Sequence, residues 1–259
     1  MCSVDVNGAF VVLFSLAGLV VGSFLNVCIS RIPRGASLIW PASHCTSCNR
    51  PLAWFENVPV VSWLALGGRC RTCRAPISPT YPLVELATAA IFAGGAAAYG
   101  LTPLLLVRLA FASALIVLFA IDLRHQILPN VITLPGIVVG FAASWFLSPG
   151  WLSSLAGIAA GGGILLGVAA AYSRLRGREG LGMGDVKMLA MIGAFLGWPL
   201  TILTLVVASF AGSLVGMGLL ASGRGNLQAA LPFGTFLAAG ALVAAVAGEP
   251  VLEWYLSFY

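Results

Sequence analysis

Two aspartates, Asp122 and Asp185, are the residues of this chain whose type and setting point to catalysis. Each lies at one end of a long apolar segment, where an unpartnered carboxylate is costly and functional use is the first interpretation. Two carboxylates at close range do not ionise together and so share a proton. The charged member can then activate water while the neutral member hydrogen-bonds a carbonyl group, which is aspartic protease chemistry.

The acidic residues also have structural interpretations. Asp185 follows Gly182-Met183-Gly184 and could cap a helix. Asp122 could pair with Arg124, although the macrodipole disfavours an acid at a helix carboxyl end. Glu85, a third acid beside an apolar segment, could pair with an arginine, cap a helix or take part in function. The two histidines, His44 and His125, lie in no nucleophile or metalloprotease pattern.

Four cysteines form a second chemical pattern, two CxxC motifs at Cys45 to Cys48 and Cys70 to Cys73. Paired motifs of this kind are typical of a tetrahedral Zn²⁺ site, and four thiolates leave no open position for water, so the ion would be structural. The arginines around these motifs predict that the segment is cytoplasmic, and structural disulfides rarely persist in that reducing compartment. Unliganded or redox-active thiols are the alternative.

The elements that must position these groups are transmembrane helices. The chain of 259 residues is 60% hydrophobic and only 8% charged, which excludes an ordinary soluble domain. The basic residues are scattered and lack interleaved aromatic side chains, so no nucleic-acid partner is predicted and membrane lipid is the expected surrounding. We predict an all-α polytopic membrane protein with about eight spans, near 8–28, 82–99, 103–121, 130–147, 152–172, 183–199, 200–221 and 233–248.

The distribution of Lys and Arg predicts the orientation. With both termini outside, the inner segments hold twelve of the thirteen cations and leave only Arg108: Arg31, Arg34, Arg50, Arg69, Arg71, Arg74, Arg124, Arg174, Arg176, Arg178, Lys187 and Arg224. The third span then runs inward and the sixth outward, so Asp122 and Asp185 lie at the same inner level. The sixth span is short, about 21 Å for 14 residues against a hydrocarbon core of about 30 Å, which draws Asp185 into the membrane boundary.

Several further motifs, taken in order, resemble the bacterial type IV prepilin peptidases over about residues 20–240. They are GSFLNV at 22–27, Arg31-Ile32-Pro33, the two CxxC motifs, WFENVP at 54–59, YPLVE at 81–85, Asp122 with Pro129-Asn130, GMGDVK at 182–187 and PFG at 232–234. Ser30 stands where a histidine is common in that family, and Thr235 where a proline is frequent.

The resemblance implies a bifunctional enzyme of the bacterial inner membrane, with periplasmic termini and an active site at the cytoplasmic face. Its substrates would be type IV prepilins and type II secretion pseudopilins, cut after a glycine that ends a basic leader and then N-methylated from S-adenosylmethionine. The family's catalytic aspartates fall on Asp122 and Asp185. By family position alone, Asn26, Glu56, Asn57 and Glu85 are candidates for methyl transfer.

The expected organisation is a first transmembrane helix at 1–29, a cytoplasmic zinc-binding insert with four cysteines at 30–81 and a membrane peptidase domain at 82–259. Two other functions remain open on the residues alone. One is a proton- or ion-coupled transporter that uses Asp122 and Asp185 as a relay, although these acids lie at a membrane edge without evident repeats. The other is a zinc-ribbon membrane scaffold without catalysis.

Overall fold

The computed structural model describes residues 8–177, 182–222 and 231–258. Arg178 and Arg224, used in the orientation argument, lie outside these ranges. The described residues form helices, turns and two isolated β-bridges, without a strand. The chain divides into two compact units, Met1–Val117 and Leu118–Tyr259.

Eight α-helices account for most of the described chain. They are α1 (Gly8–Arg31), α2 (Val61–Ala65), α3 (Thr80–Tyr99), α4 (Pro103–His125), α5 (Asn130–Ala143), α6 (Trp151–Arg176), α7 (Met183–Ala221) and α8 (Phe233–Leu256). Six of the described helices, α1, α3, α4, α6, α7 and α8, are long and apolar enough to cross a membrane, and α5 is a shorter apolar helix. The all-α, polytopic prediction is therefore confirmed.

In the first unit, two glycines let α1 approach α3 closely. A Cβ atom on Gly18 would lie 2.7 Å from Cα of Ala89, and one on Gly22 would lie 2.7 Å from Cα of Glu85. Side-chain-free positions four residues apart allow this kind of backbone contact between membrane helices. Between α1 and α3 the chain forms two 3₁₀ turns, Ile32–Arg34 and Trp54–Asn57, and the short helix α2.

In the second unit, α6 and α7 cross with their backbones in direct contact. A Cβ atom on Gly161 would lie 2.6 Å from the carbonyl oxygen of Leu189, and Gly157 faces Gly193 in the same way. The hydroxyl of Ser154 donates a hydrogen bond of 2.8 Å to the carbonyl oxygen of Ala194. This crossing holds in place α7, the helix that carries Asp185 in its first turn.

The direction of α7 reverses at Gly197, whose φ of 76° and ψ of 171° are not helical. Beyond this break, Leu200 contacts Gly248 of α8 and Gly212 lies opposite Phe236, so residues 198–221 run antiparallel to α8. Residues 183–196 and α8 both begin against Leu128, so residues 198–221 return toward that level. The two spans predicted at 183–199 and 200–221 are thus two segments of α7.

Several predicted helix ends differ from the structure. Helix α4 continues to His125, so Asp122 lies in its last turn and does not follow the helix. Helix α5 ends at Ala143, four residues early, while α8 continues to Leu256 through Pro250. Apolar length sets where a span can lie, but the helix end depends on local backbone hydrogen bonds that hydropathy does not report.

Candidate active site and metal centre

Asp122 is buried in the last turn of α4, with 4% of its surface exposed. The helix ends because Gln126 adopts a left-handed conformation, with φ 53°, while its N–H bonds the carbonyl oxygen of Asp122. Carboxylate oxygen Oδ2 accepts two hydrogen bonds from Thr235 of α8, one from the backbone N–H at 2.7 Å and one from the hydroxyl at 3.0 Å. The first turn of α8 therefore fixes the orientation of this carboxylate.

Asp185 lies in the first turn of α7 and is half-buried. The N-cap residue of α7 is Gly182, and Asp185 is the third residue of the helix, so Asp185 does not occupy the N-cap position. A Cβ atom on Gly182 would lie only 3.5 Å from Oδ2 of Asp185. The carboxylate thus turns back toward the glycine backbone that precedes the helix.

Leu128 joins the surroundings of the two aspartates. A Cβ atom on Gly184, next to Asp185, would lie 2.9 Å from Cβ of Leu128. A Cβ atom on Gly234, next to Thr235, would lie 2.9 Å from Cδ1 of Leu128 and 3.0 Å from Oδ2 of Asp122. Asp122 also acts electrostatically on the carboxyl group of Asp185. The structure therefore brings the two predicted residues to one site, as topology required.

The segment that carries Leu128 is tied to α7 by a polar contact. Asn130, the first residue of α5, accepts a hydrogen bond of 2.9 Å through Oδ1 from the Nζ atom of Lys187. Lys187 lies two residues after Asp185. This contact holds the α4–α5 connection against the turn that carries the second aspartate.

The four cysteines of the first unit form a compact cluster. Their Sγ atoms all lie within 4.8 Å of one another, and the Sγ atoms of Cys45 and Cys73 are 3.7 Å apart. Four ligands at the Zn–S distance of 2.3 Å would be separated by about 3.8 Å in a tetrahedron. The donor set and its spacing therefore fit a zinc ion.

The two CxxC motifs also fold alike. The N–H of Cys45 bonds the carbonyl oxygen of Arg50, and the N–H of Cys70 bonds that of Ala75. The residues after each motif, Asn49 and Arg74, have φ values of 54° and 57°. Backbone N–H groups of Cys73 and Thr72 lower the pKa of Cys70 to about 6. Thiolates stabilised in this way are the form that binds metal.

Glu56 links the first CxxC motif to the 3₁₀ turn Trp54–Asn57. Its side chain is 1% exposed and forms a 2.6 Å ion pair with Arg50, while Oε2 accepts the N–H of Ala53 at 2.8 Å. Two hydrogen bonds hold the pKa of Glu56 below its usual range. The one from Arg50 has the larger effect, and the one from Ala53 comes second. From the second motif, the guanidinium of Arg71 lies 5.4 Å from the ring centre of Phe55.

Asn26 and Glu85 lie where α1 and α3 meet the insert. The amide of Asn26 donates a 3.0 Å hydrogen bond to the carbonyl oxygen of Tyr81. Glu85 accepts the N–H of Val60, the residue before α2, at 2.7 Å and forms no ion pair with an arginine among the described residues. Val60 has a φ of 62°, which is unfavourable for a β-branched residue. The Glu85 hydrogen bond compensates part of that strain.

Asn57, the fourth candidate for methyl transfer, lines a cleft of about 450 Å³ in the first unit. One wall comes from α1 and the other from the insert, with polar and aromatic side chains together. The lining residues are Val20, Ser23, Phe24, Val27, Ser43, Trp54, Asn57, Val58 and Pro59. Among the four candidates, Asn57 alone belongs to this lining.

The sequence reasoning did not assign a role to Leu128, Gly234 or Thr235. Thr235 contacts Asp122 across 113 positions of the chain, and no local pattern reports such a contact. The PFG motif at 232–234 was the available signal, because it ends at the residue before Thr235.

Comparison with known proteins gives two family matches. A model described as the Bacterial Peptidase A24 N-terminal domain matches residues 16–99, and one described as the Type IV leader peptidase family matches residues 109–217. No solved structure gave a significant match.

Three curated relatives share the name prepilin leader peptidase/N-methyltransferase. The Burkholderia pseudomallei protein is 37% identical, with 90% of this chain and 84% of the relative aligned. The Myxococcus xanthus protein is 43% identical, with 83% and 65% aligned. The Pseudomonas aeruginosa protein is 35% identical, with 96% and 94% aligned.

Proposed function

The chain belongs to the type IV leader peptidase family, and we propose that it cleaves the leader peptides of prepilins and pseudopilins and then N-methylates the new amino terminus. The observation that carries the peptidase assignment is the pairing of Asp122 and Asp185 around Leu128. The transporter alternative is not supported, because the matching families and relatives are peptidases.

In the proposed hydrolysis, one aspartate is ionised and the other is protonated. The ionised carboxylate takes a proton from water as the water oxygen bonds to the scissile carbonyl carbon, and the neutral carboxyl group gives its proton to the carbonyl oxygen. The resulting gem-diol collapses when one aspartate protonates the leaving nitrogen and the other recovers a proton from a diol hydroxyl. The C–N bond breaks, one water is consumed, and both aspartates regain their starting states.

For methyl transfer, we propose the cleft of the first unit as the place where S-adenosylmethionine binds. Its Phe24 and Trp54 offer aromatic surfaces, and Ser23 and Asn57 offer polar contacts. The cofactor would supply the methyl group. The hydrogen bonds described above support the walls of this cleft, and they are made by Asn26, Glu56 and Glu85. Asn57→Ala should lower methylation while leaving leader cleavage near the wild-type rate.

Zinc is proposed as a structural ion held by Cys45, Cys48, Cys70 and Cys73. A segment of this size has little core of its own, and metal binding supplies folding free energy. The insert would then keep its turns in place without any metal role in hydrolysis.

The chain is a multi-pass membrane protein, and we place it in the bacterial inner membrane with both termini in the periplasm. The Lys and Arg residues of the inner segments support this orientation. Asp122 and Asp185 would then face substrate at the cytoplasmic surface, where a basic leader is still attached to its prepilin.

Cleavage by full-length protein in liposomes tests the proposal. Asp122→Asn and Asp185→Asn should each lower the rate on Pseudomonas aeruginosa prepilin by about 10²–10⁴-fold, the usual contribution of general acid–base catalysis. Asn is close to isosteric with Asp, so both variants should fold. Full activity in either variant would rule out the aspartate pair.

A further inference from the structure

The pairing of two aspartates leaves open which one is ionised, and the contacts of Asp122 bear on that choice. Both donors of Thr235, its backbone N–H and its hydroxyl, point at a single oxygen, Oδ2 of Asp122. At 2.7 Å, the backbone N–H of Thr235 holds Oδ2 as an acceptor, so a proton on Asp122 would lie on Oδ1. Hydrogen bonds to an ionised acceptor are stronger than those to a neutral one, so two donors favour the carboxylate form.

Burial disfavours a charge on a carboxyl group, so an ionised aspartate in this site needs hydrogen-bond donors. Asp122 is 4% exposed and Thr235 is 6% exposed, so water competes little for either group. A backbone N–H can only donate, which makes one of the two contacts independent of how the hydroxyl turns. Asp185, in contrast, receives no hydrogen bond on its carboxylate from the part of the chain that the structure describes.

Few charged groups lie around Asp122 among residues 8–177, 182–222 and 231–258. Asp185 of α7 is the facing titratable group, and Lys187 of the same turn bonds Asn130. Arg124 and His125 follow on α4 itself and are exposed. The first turn of α8 carries no titratable side chain. Thr235 is therefore the contact that distinguishes Asp122 from Asp185.

We propose that Thr235 is a positioning residue that holds Asp122 as the carboxylate, so that Asp122 deprotonates the water and Asp185 protonates the carbonyl oxygen. This inference rests on the proposed peptidase function. In the balanced step, the water proton moves to Oδ1 of Asp122, the oxygen not occupied by Thr235. That proton later goes to the leaving nitrogen, while Asp185 recovers a proton from the gem-diol.

The test is the pH dependence of kcat/KM for full-length protein in liposomes, with Pseudomonas aeruginosa prepilin as the substrate. Thr235→Val keeps the shape and the N–H but removes the hydroxyl donor. Its acidic midpoint should rise by about one pH unit, which is about a tenfold loss of rate one unit below the wild-type midpoint. At the pH optimum the rate should change much less.

Two further variants complete the test. Thr235→Ser keeps both donors and should restore the wild-type profile, while Thr235→Pro removes the hydroxyl as well as the N–H and should raise the midpoint further than Thr235→Val does. If Thr235→Pro does not fold, Thr235→Val decides, because valine matches threonine in shape. An unchanged acidic midpoint, or an equal loss at every pH, would overturn the role of Thr235. Inactivity of Asp122→Asn and Asp185→Asn in the same assay would show that the peptidase proposal still stands.

Discussion

Gly157 of α6 and Gly193 of α7 face each other with no side chain between their backbones. A Cβ atom on Gly157 would lie 2.5 Å from the carbonyl oxygen of Gly193, and one on Gly193 would meet the carbonyl group of Gly157. Backbone atoms cannot rotate away as a flexible side chain can. The helix that carries Asp185 can therefore take this position only because both residues are glycines, which have a hydrogen atom where other residues have Cβ.

Gly193→Ala should destabilise the protein, because the added methyl group must push α6 and α7 apart. Overpacking of this kind costs about 1–3 kcal/mol. Thermal unfolding in detergent measures the effect. Gly163→Ala, on α6 but with nothing within 4 Å of its Cβ position, is the matched control and should be neutral or stabilising. Equal stability of the two variants would contradict the close crossing.

Gly234→Ala should lower leader cleavage more than it lowers stability. The new Cβ atom would press on Oδ2 of Asp122 and on Leu128, and it would move Thr235 away from the carboxylate. A displacement near 1 Å can cost about 10²-fold in rate. Single-turnover cleavage measures the effect, with Gly212→Ala as control, since its Cβ position is 3.5 Å from Phe236.

A second substitution, at Leu128, tests whether crowding against Leu128 causes the loss of activity in Gly234→Ala. Leu128→Ala removes the other atoms that crowd Gly234, so the double variant should recover part of the activity lost by Gly234→Ala. Additive losses in this double-mutant cycle would show that the two residues act independently.

Removal of zinc should unfold the insert more than it slows hydrolysis. Cys45→Ser and Cys70→Ser each take away one thiolate of the cluster, and bound zinc should fall from about one ion per chain. Elemental analysis, limited proteolysis of residues 45–76 and the two enzyme assays measure the outcome. Rapid loss of cleavage on chelation, with the insert still protected from protease, would contradict a purely structural ion.

Glu56 should make the stability of the insert depend on pH. Because the pKa of Glu56 is lowered in the folded protein, its ionised form adds stability above the unfolded pKa of about 4.3, and that stability is lost as the pH falls. Hydrogen exchange of residues 50–57, corrected for intrinsic rates, measures this. Wild type should exceed Glu56→Gln in protection at neutral pH, and the difference should shrink as the pH falls below the unfolded pKa of about 4.3 and through the lower pKa of the folded protein. A difference that persists in acid would contradict the ion pair with Arg50.

Apolar length and turn residues were enough to predict eight helical segments and the common level of Asp122 and Asp185. The predicted spans 183–199 and 200–221 placed the reversal between residues 199 and 200, but the structure places it at Gly197, because glycine can adopt the positive φ that the turn requires. Spacing also predicted the cysteine cluster, since each CxxC motif is local and 21 residues lie between the two motifs.

The contacts that complete the site were not predictable in the same way. Thr235 meets Asp122, and Leu128 meets both Gly184 and Gly234, only after helices distant in sequence have packed. Such contacts depend on the rotation of each helix about its axis, which a hydrophobic segment without a polar face does not specify.

The first segment of α7 is enclosed by protein. Every residue from Met188 to Gly197 is buried, and α5 and α6 pack against it through Gly136, Gly140, Gly157 and Gly161. Lipid chains therefore contact little of the surface of this segment. Membranes of different hydrocarbon thickness tilt or shift helices that they touch, whereas the depth of Asp185 is set by its neighbouring helices. Leader cleavage should therefore keep its rate in short-chain and long-chain lipids alike.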